Sequence, residues 1–210
     1  MIFKICGLKE KASLRCCATN KVDFFGMIFY EKSTRNITFD EAKNLINFSK
    51  NLTIKPVGVF VNHDIYELKK IITFLELKYI QLHGDENQSY IDEIKNKLKL
   101  KIIKKLSIKT VNDLKNINYF KNIDYLLFDY KPNINELPGG NSKTFDWSLL
   151  KGQKIELPWF ISGGINESNI KNIQKLINPN GIDLSSGVEE SKGIKSNTKI
   201  NNLFKKFYDY

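Results

Sequence analysis

Eight short apolar runs, separated by segments of helical periodicity, constrain this chain more than any other feature. They fall at residues 2–6, 24–29, 57–61, 79–82, 101–106, 125–128, 159–161 and 182–184. Most are near-continuous rather than alternating, as parallel strands are when both faces of their sheet are covered. Between them, Ala42, Leu45, Ile46 and Phe48 make an apolar stripe at helical spacing. Ile65, Leu68, Ile71, Ile72 and Leu75 make a second, Ile91, Ile94 and Leu98 a third, and Ile170, Ile173 and Leu176 a fourth. A last helix is expected from near Asn197 to Phe207, and Asp40, Asp64 and Asn166 are candidate N-caps. Strands alternating with helices through 210 residues predict an α/β chain that forms a single (β/α)8 (TIM) barrel domain over residues 1–210. An open doubly wound sheet is the alternative. Against it, no Gly-x-Gly-x-x-Gly follows the first run and no Walker-type loop occurs.

Composition narrows the function classes. At 41% hydrophobic and 27% charged residues, the chain has the balance of a folded globular protein. No apolar run approaches the roughly 20 residues a membrane helix needs, so no membrane partner is expected. The apolar start turns charged by Lys9, unlike a signal peptide, and the expected location is cytoplasmic. A net charge of +10 invites a nucleic-acid reading, but of 33 basic residues only Arg15 and Arg35 are arginine, and the lysines are scattered among Asp and Glu. A binding footprint would be clustered, so no nucleic-acid partner is expected. Cys6, Cys16 and Cys17 are an odd set with no Cys-x-x-Cys pair, and His63 and His83 lie far from them in sequence. Neither a disulfide framework nor a metal site is expected.

In a barrel strand alternate side chains point inward, and the helix-facing layer must be apolar. Polar residues on strands therefore face the interior or sit at an end. Lys4 and Cys6 share a face of the first strand, Gln81 and His83 of the fourth, and Asp183 and Ser185 of the eighth. The first and eighth strands are neighbours in a closed barrel, so Lys4 and Asp183 are placed to pair. Cys6, Arg35, His83, Asp129, Gly163, Gly164 and the stretch Ser185-Ser186-Gly187 all fall at or beyond C-terminal strand ends, where such barrels keep their active sites. Glycine loops after the last two strands let backbone N–H groups approach an anion, and Gly163, Gly164, Ser186 and Gly187 are the expected phosphate-binding residues. The longest irregular stretch, 130–144, holds Pro132, Pro138, Gly139 and Gly140 and has the length of a functional loop.

Several strings, in order, carry a resemblance. They are Lys4-Ile5-Cys6-Gly7-Leu8, Ser33-Thr34-Arg35, Val57-Gly58-Val59-Phe60-Val61-Asn62, Gln81-Leu82-His83-Gly84-Asp85-Glu86 and Leu126-Leu127-Phe128-Asp129. Pro138-Gly139-Gly140, Phe145-Asp146-Trp147, Ser162-Gly163-Gly164 and Ser185-Ser186-Gly187-Val188-Glu189 follow. The sequence resembles the phosphoribosylanthranilate isomerase family of tryptophan biosynthesis over nearly its whole length. That resemblance implies an Amadori rearrangement of a small-molecule substrate, with no cofactor, by a monomer or a homodimer. It implies Cys6 as general base, Asp129 as general acid and Arg35 as the grip on the anthranilate carboxylate.

For those roles, the Cys6 thiolate would need a nearby cation, for which Lys4 is the candidate, and Asp129 would need a raised pKa to hold its proton. Gln81 and His83 line the mouth either as substrate contacts or as structural residues. Asp183 either touches substrate or simply pairs with Lys4. The family commonly shows Ser-Pro-Arg at residues 33–35 and Gly-Gly-Thr-Gly where this chain has Gly139-Gly140-Asn141-Ser142, and losing the last glycine is expected to stiffen the loop. Among rivals, an indole-glycerol phosphate synthase would need a catalytic lysine and glutamates elsewhere and an N-terminal extension. The related histidine-pathway isomerase would place an aspartate where Cys6 stands. A non-catalytic phosphometabolite-binding barrel would have no need of Cys6, Asp129 and Arg35 together.

Overall fold

A computed structural model of the chain describes residues 1–141 and 143–209. Eight parallel strands close in chain order: β1 (Ile2–Cys6), β2 (Phe24–Phe29), β3 (Lys55–Phe60), β4 (Tyr79–Leu82), β5 (Lys101–Ile108), β6 (Tyr125–Tyr130), β7 (Trp159–Ile161) and β8 (Gly181–Leu184). The seam pairs β8 with β1, setting Lys4 beside Asp183 in register. Outside lie α1 (Lys11–Thr19), α2 (Phe39–Ser49), α3 (Ile65–Leu75), α4 (Gln88–Lys97), α5 (Ile170–Leu176) and α6 (Asn197–Tyr208). After β5 and β6 the chain makes only 3-10 helices, Val111–Asn116 and Trp147–Leu150. A small antiparallel pair, β9 (Glu189–Ser191) and β10 (Ile194–Lys195), stands between β8 and α6. Ser142, singled out by sequence, lies outside the described residues.

Local chemistry sets the element ends. Thr38, not Asp40, caps α2: its hydroxyl accepts from Glu41 N while the Glu41 carboxylate accepts from Thr38 N at 2.8 Å, a reciprocal box that places Asp40 inside the first turn. Asp64 caps α3 as expected, accepting from Tyr66 N and Glu67 N. The helix expected near Asn166 begins only at Ile170. The side-chain amides of Asn166 and Asn169 both donate to the Gly164 carbonyl and fold the intervening residues back on it. Strands β5 and β6 each run two residues past their apolar runs, because their ladder continues through Ser107 opposite Asp129 and Ile108 opposite Tyr130. That extension carries Asp129 on a strand rather than a loop.

The barrel interior has two levels. Phe24, Val57, Ile103, Leu127 and Phe160 form an apolar cluster separate from the larger core between barrel and helices. They plug the N-terminal end, with the Phe160 ring 5.5 Å from Tyr125 and edge-on to Phe24 at 6.4 Å. Two residues further along the same inward faces come polar groups: Gln81, Lys105, Asp129 and Asp183. The outward face of β5 also buries a charge. Lys104 donates to Glu86 at 2.7 Å and to the Gly84 carbonyl at 2.8 Å, while Glu86 accepts from the backbone N–H of Asn62 and Gly84. That pair ties β5 to the loops after β3 and β4.

Phe160 is fully buried with its ring filling the plug. Phe160→Ala is expected to lower unfolding free energy by about 3–5 kcal/mol in chemical denaturation. A loss under about 1 kcal/mol would mean the interior repacks without it.

Candidate active site

Lys4 anchors the floor of the barrel's C-terminal mouth. Its ammonium sits 3.0 Å from both carboxylate oxygens of Asp183, and its side chain is wholly buried. Burial, the largest single influence, would drive that amine toward the neutral form, but the charge and hydrogen bonds of Asp183, with the neighbouring Cys6 sulfur, together outweigh it and keep Lys4 an ammonium. The Cys6 thiol lies just above. A Cβ built on Gly26 of β2 would fall 2.8 Å from Cys6 Sγ and 3.2 Å from Lys4 Nζ. Glycine at 26 therefore leaves the space in which sulfur and ammonium approach each other. The sequence led to the expectation of a lowered thiol pKa. The structure reverses the direction: burial pushes Cys6 up more than Lys4 pulls it down.

Asp129, the next-to-last residue of β6, has a partner facing each carboxylate oxygen. Oδ1 accepts from Tyr130 N at 2.8 Å, and Oδ2 lies 3.5 Å from His83 Nε2. Gln81 Nε2 is 2.8 Å from His83 Nδ1. In that amide orientation Gln81 donates, which leaves the imidazole proton on Nε2, facing Asp129. Burial holds His83 below its ordinary range, so the pair is a neutral imidazole facing a carboxylate across 3.5 Å. Here too the sequence expectation inverts. Burial works to raise Asp129, but the His83 hydrogen bond and the nearby charge of Lys105 outweigh it, and its pKa falls below the usual aspartate value.

Arg35 comes from the loop after β2 and is only 3% exposed. Its Nε and one terminal nitrogen donate to the two oxygens of Glu189, at 2.7 and 2.8 Å. Lys195 Nζ also bonds Glu189, at 2.6 Å, and reaches the Ser185 carbonyl. Held by both cations against the opposing effect of burial, Glu189 titrates at about 2. The other terminal nitrogen of Arg35 faces the loop after β6, where a Cβ on Gly140 would meet it at 2.2 Å. One edge of the fork thus fixes the side chain, and its remaining nitrogen stays on the mouth side.

One cavity, with about 90 Å³ open to the centre of a water molecule, joins these groups. Cys6, Arg35, Gln81, His83, Asp129, Asp183, Gly163, Gly164 and Ser186 all line it. Gly187 does not: a Cβ there would lie 1.9 Å from the Ile165 carbonyl, so its bareness lets the loops after β7 and β8 pack together. Gly163 and Gly164 have φ of +88° and +62°, a region that disfavours side chains and turns the chain beneath the Lys143–Thr144 backbone. Among the described residues, no group of three or more His, Cys, Asp or Glu side chains is placed to hold a metal ion, and no helix is long and apolar enough to cross a membrane.

The family model described as N-(5'phosphoribosyl)anthranilate (PRA) isomerase matches residues 3–206. The chain belongs to the phosphoribosylanthranilate isomerase family. A relative in Paramagnetospirillum magneticum, named N-(5'-phosphoribosyl)anthranilate isomerase, is 36% identical over 204 residues, covering 96% of this chain and 94% of its own. The isomerase of Thermotoga maritima superposes with a TM-score of 0.86 at 28% identity, over 98% of both chains. Another isomerase structure, in complex with reduced 1-(o-carboxyphenylamino)-1-deoxyribulose 5-phosphate, has a TM-score of 0.79 at 26% identity over 98% of both.

Membership in this isomerase family gives the cavity a chemistry, and several of its parts were not read from sequence. Glu189 stands in a matching string, yet nothing local ties it to Arg35, 154 positions earlier. Lys195 was lost among the many lysines; its signal is its place on a short strand beside a glycine turn. Gly26, inside an apolar run, reads as an ordinary strand glycine until Cys6 and Lys4 are placed opposite it. For this isomerase fold, Gly26→Ala must displace sulfur or ammonium. It is expected to lower kcat by about 100-fold while the circular dichroism spectrum is kept. An unaltered kcat in a folded variant would show that Sγ need not occupy this position.

Proposed function

We propose that this chain carries out the phosphoribosylanthranilate isomerase reaction of tryptophan biosynthesis with Cys6 as general base and Asp129 as general acid. The observation that carries the assignment is their meeting in one cavity, on β1 and β6, with the glycine loops after β7 and β8 along the same wall. The 5-phosphate docks at Gly163, Gly164 and Ser186, where backbone N–H groups and the close Gly163–Gly164 turn suit an anion. The anthranilate carboxylate takes the mouth-side nitrogen of Arg35, whose other edge Glu189 holds rigid. The barrel acts as a single catalytic domain in the cytoplasm.

Asp129 gives its proton to the furanose ring oxygen, the C1–O bond breaks, and the anthranilate nitrogen lone pair forms the C1 iminium. Cys6 takes the proton from C2. The resulting enolamine becomes the C2 ketone as C1 gains a proton, completing 1-(2-carboxyphenylamino)-1-deoxyribulose 5-phosphate with no net change in atoms or electrons. Lys4, close to the sulfur, stabilises the thiolate that then takes the C2 proton. Gln81 and Asp183 line the floor beside C2 and its hydroxyl, and His83 holds Asp129 in place. In a fluorescence assay for loss of phosphoribosylanthranilate, Cys6→Ser and Asp129→Asn are each expected to lower kcat by about 10²- to 10⁴-fold with the fold intact. Wild-type turnover in either variant would remove it from the mechanism.

The two pKa directions set the pH behaviour. The protein's own groups favour thiol on Cys6 and carboxylate on Asp129. The reacting form, thiolate and carboxylic acid, holds the same number of protons, so passing one proton between them needs no exchange with solvent. Its share of the population is therefore constant between the two pKa values. Below the lowered Asp129 pKa an extra proton blocks the base; above the raised Cys6 pKa the acid's proton is lost. A pH profile of kcat/KM should be flat through neutrality, falling only at its acidic and alkaline extremes. A rise through neutral pH would contradict the assignment.

A further inference from the structure

Four lysines are buried inside this molecule: Lys4, Lys104, Lys105 and Lys195. Three of them bond a buried carboxylate, Asp183, Glu86 and Glu189 respectively, at 2.6–3.0 Å. Lys105 is the exception. Among the described residues no carboxylate oxygen lies within 4.0 Å of its Nζ, and its one hydrogen bond is a long one, 3.4 Å, to the Pro138 carbonyl. A buried ammonium without a carboxylate is costly. Its retention calls for a compensating role.

Its position shows what that role serves. Ile103 and Leu127 both belong to the apolar plug inside the barrel, so Lys105 and Asp129, two residues further along neighbouring strands, point inward as well. Lys105 thus points into the same interior as the Asp129–His83 pair, one level below Asp129 in register, and its charge acts on both. Over it lies the loop after β6, three successive residues of which meet three mouth side chains. The Pro138 carbonyl meets Lys105, a Cβ on Gly139 would fall 2.5 Å from His83 Nε2, and one on Gly140 would meet Arg35. We propose that Lys105 is a positioning residue of this site: its ammonium is the electrostatic partner of Asp129 beneath the loop that roofs the mouth. The proposal rests on the assignment of Asp129 as the acid.

The surrounding charges act on Lys105 in both directions. Burial depresses the Lys105 amine, Lys104 adds to that, and the carboxylates of Asp129, Asp85 and Glu86 oppose it. Lys105 in turn helps to hold both Asp129 and the imidazole of His83 low. Removing its charge therefore moves Asp129 upward, and a guanidinium in its place keeps Asp129 low.

The test compares wild type, Lys105→Met and Lys105→Arg. Carbon-13 NMR follows the Asp129 carboxyl through its titration, and kcat/KM for phosphoribosylanthranilate is recorded against pH. Because Lys105 has no carboxylate to orphan, Lys105→Met is expected to fold with a Tm no lower than wild type. Its Asp129 midpoint should rise, the acidic limb of kcat/KM should move to higher pH with it, and Lys105→Arg should leave both near wild type. An Asp129 midpoint unmoved in folded Lys105→Met overturns the proposal. A midpoint that moves while the acidic limb stays fixed overturns the assignment of Asp129 as the acid instead, and the positioning role of Lys105 falls with it. A midpoint raised equally in Lys105→Arg would show that shape rather than charge is at work, and also overturns it.

Discussion

The Lys4 ammonium and the Asp183 carboxylate meet at the seam where the last strand returns to the first. Nothing else in the molecule depends so directly on closure. Residues 179 positions apart reach 3.0 Å only because eight strands come round and pair the last with the first in register. Opened into a sheet, the same chain would put a lysine and an aspartate on opposite edges, each facing the cost of burying a lone charge. Closed, the pair becomes the floor of a cavity, and its positive end faces the one thiol that reaches the mouth. The apolar cluster below it, centred on Phe160, keeps that floor away from water at the other end of the barrel.

The fold was legible because its signal is periodic. Strand runs and helical stripes repeat through the chain, and even the inward pairing of Lys4 with Asp183 follows from strand parity and closure. Boundaries were less legible where a hydrogen bond overrode local pattern. The Thr38–Glu41 box moved a helix start off Asp40, and two asparagine amides on the Gly164 carbonyl held back another. At the site, the matching strings named residues that the structure gathers, Gly187 excepted, around one cavity, but their electrostatics were not legible. A sequence says that Cys6 is two residues from a lysine; only the packing says that the sulfur is buried deeply enough for desolvation to win. Asp129 shows the converse, since its carboxylate is fixed by an imidazole from another strand and by a lysine that sequence gave no reason to single out.

Opposite shifts at the two ends of the cavity suit an isomerisation. In the proposed mechanism the acid and the base each act on a different atom of one substrate, and the proton count of the protein need not change between resting and reacting forms. A deprotonated thiol exposed to water at the mouth would be open to oxidation, as low-pKa accessible cysteines are. Buried as a thiol over an ammonium, Cys6 is shielded at rest and still has a cation at hand when charge develops on sulfur.

Arginine fixation follows the same logic of committing one part of a group to free another. Glu189 occupies two donors of Arg35, and Lys195 in turn neutralises Glu189, so the cluster carries net positive charge with its unspent nitrogen turned toward the mouth. Lysine could not serve there, because a single ammonium bound to Glu189 has no rigid second edge to offer. In a chain whose basic residues are almost all lysine, this is the physical reason that position 35 is an arginine. It also explains why the small β9–β10 hairpin exists: it brings Glu189 and Lys195 side by side at the point where the loop after β2 passes.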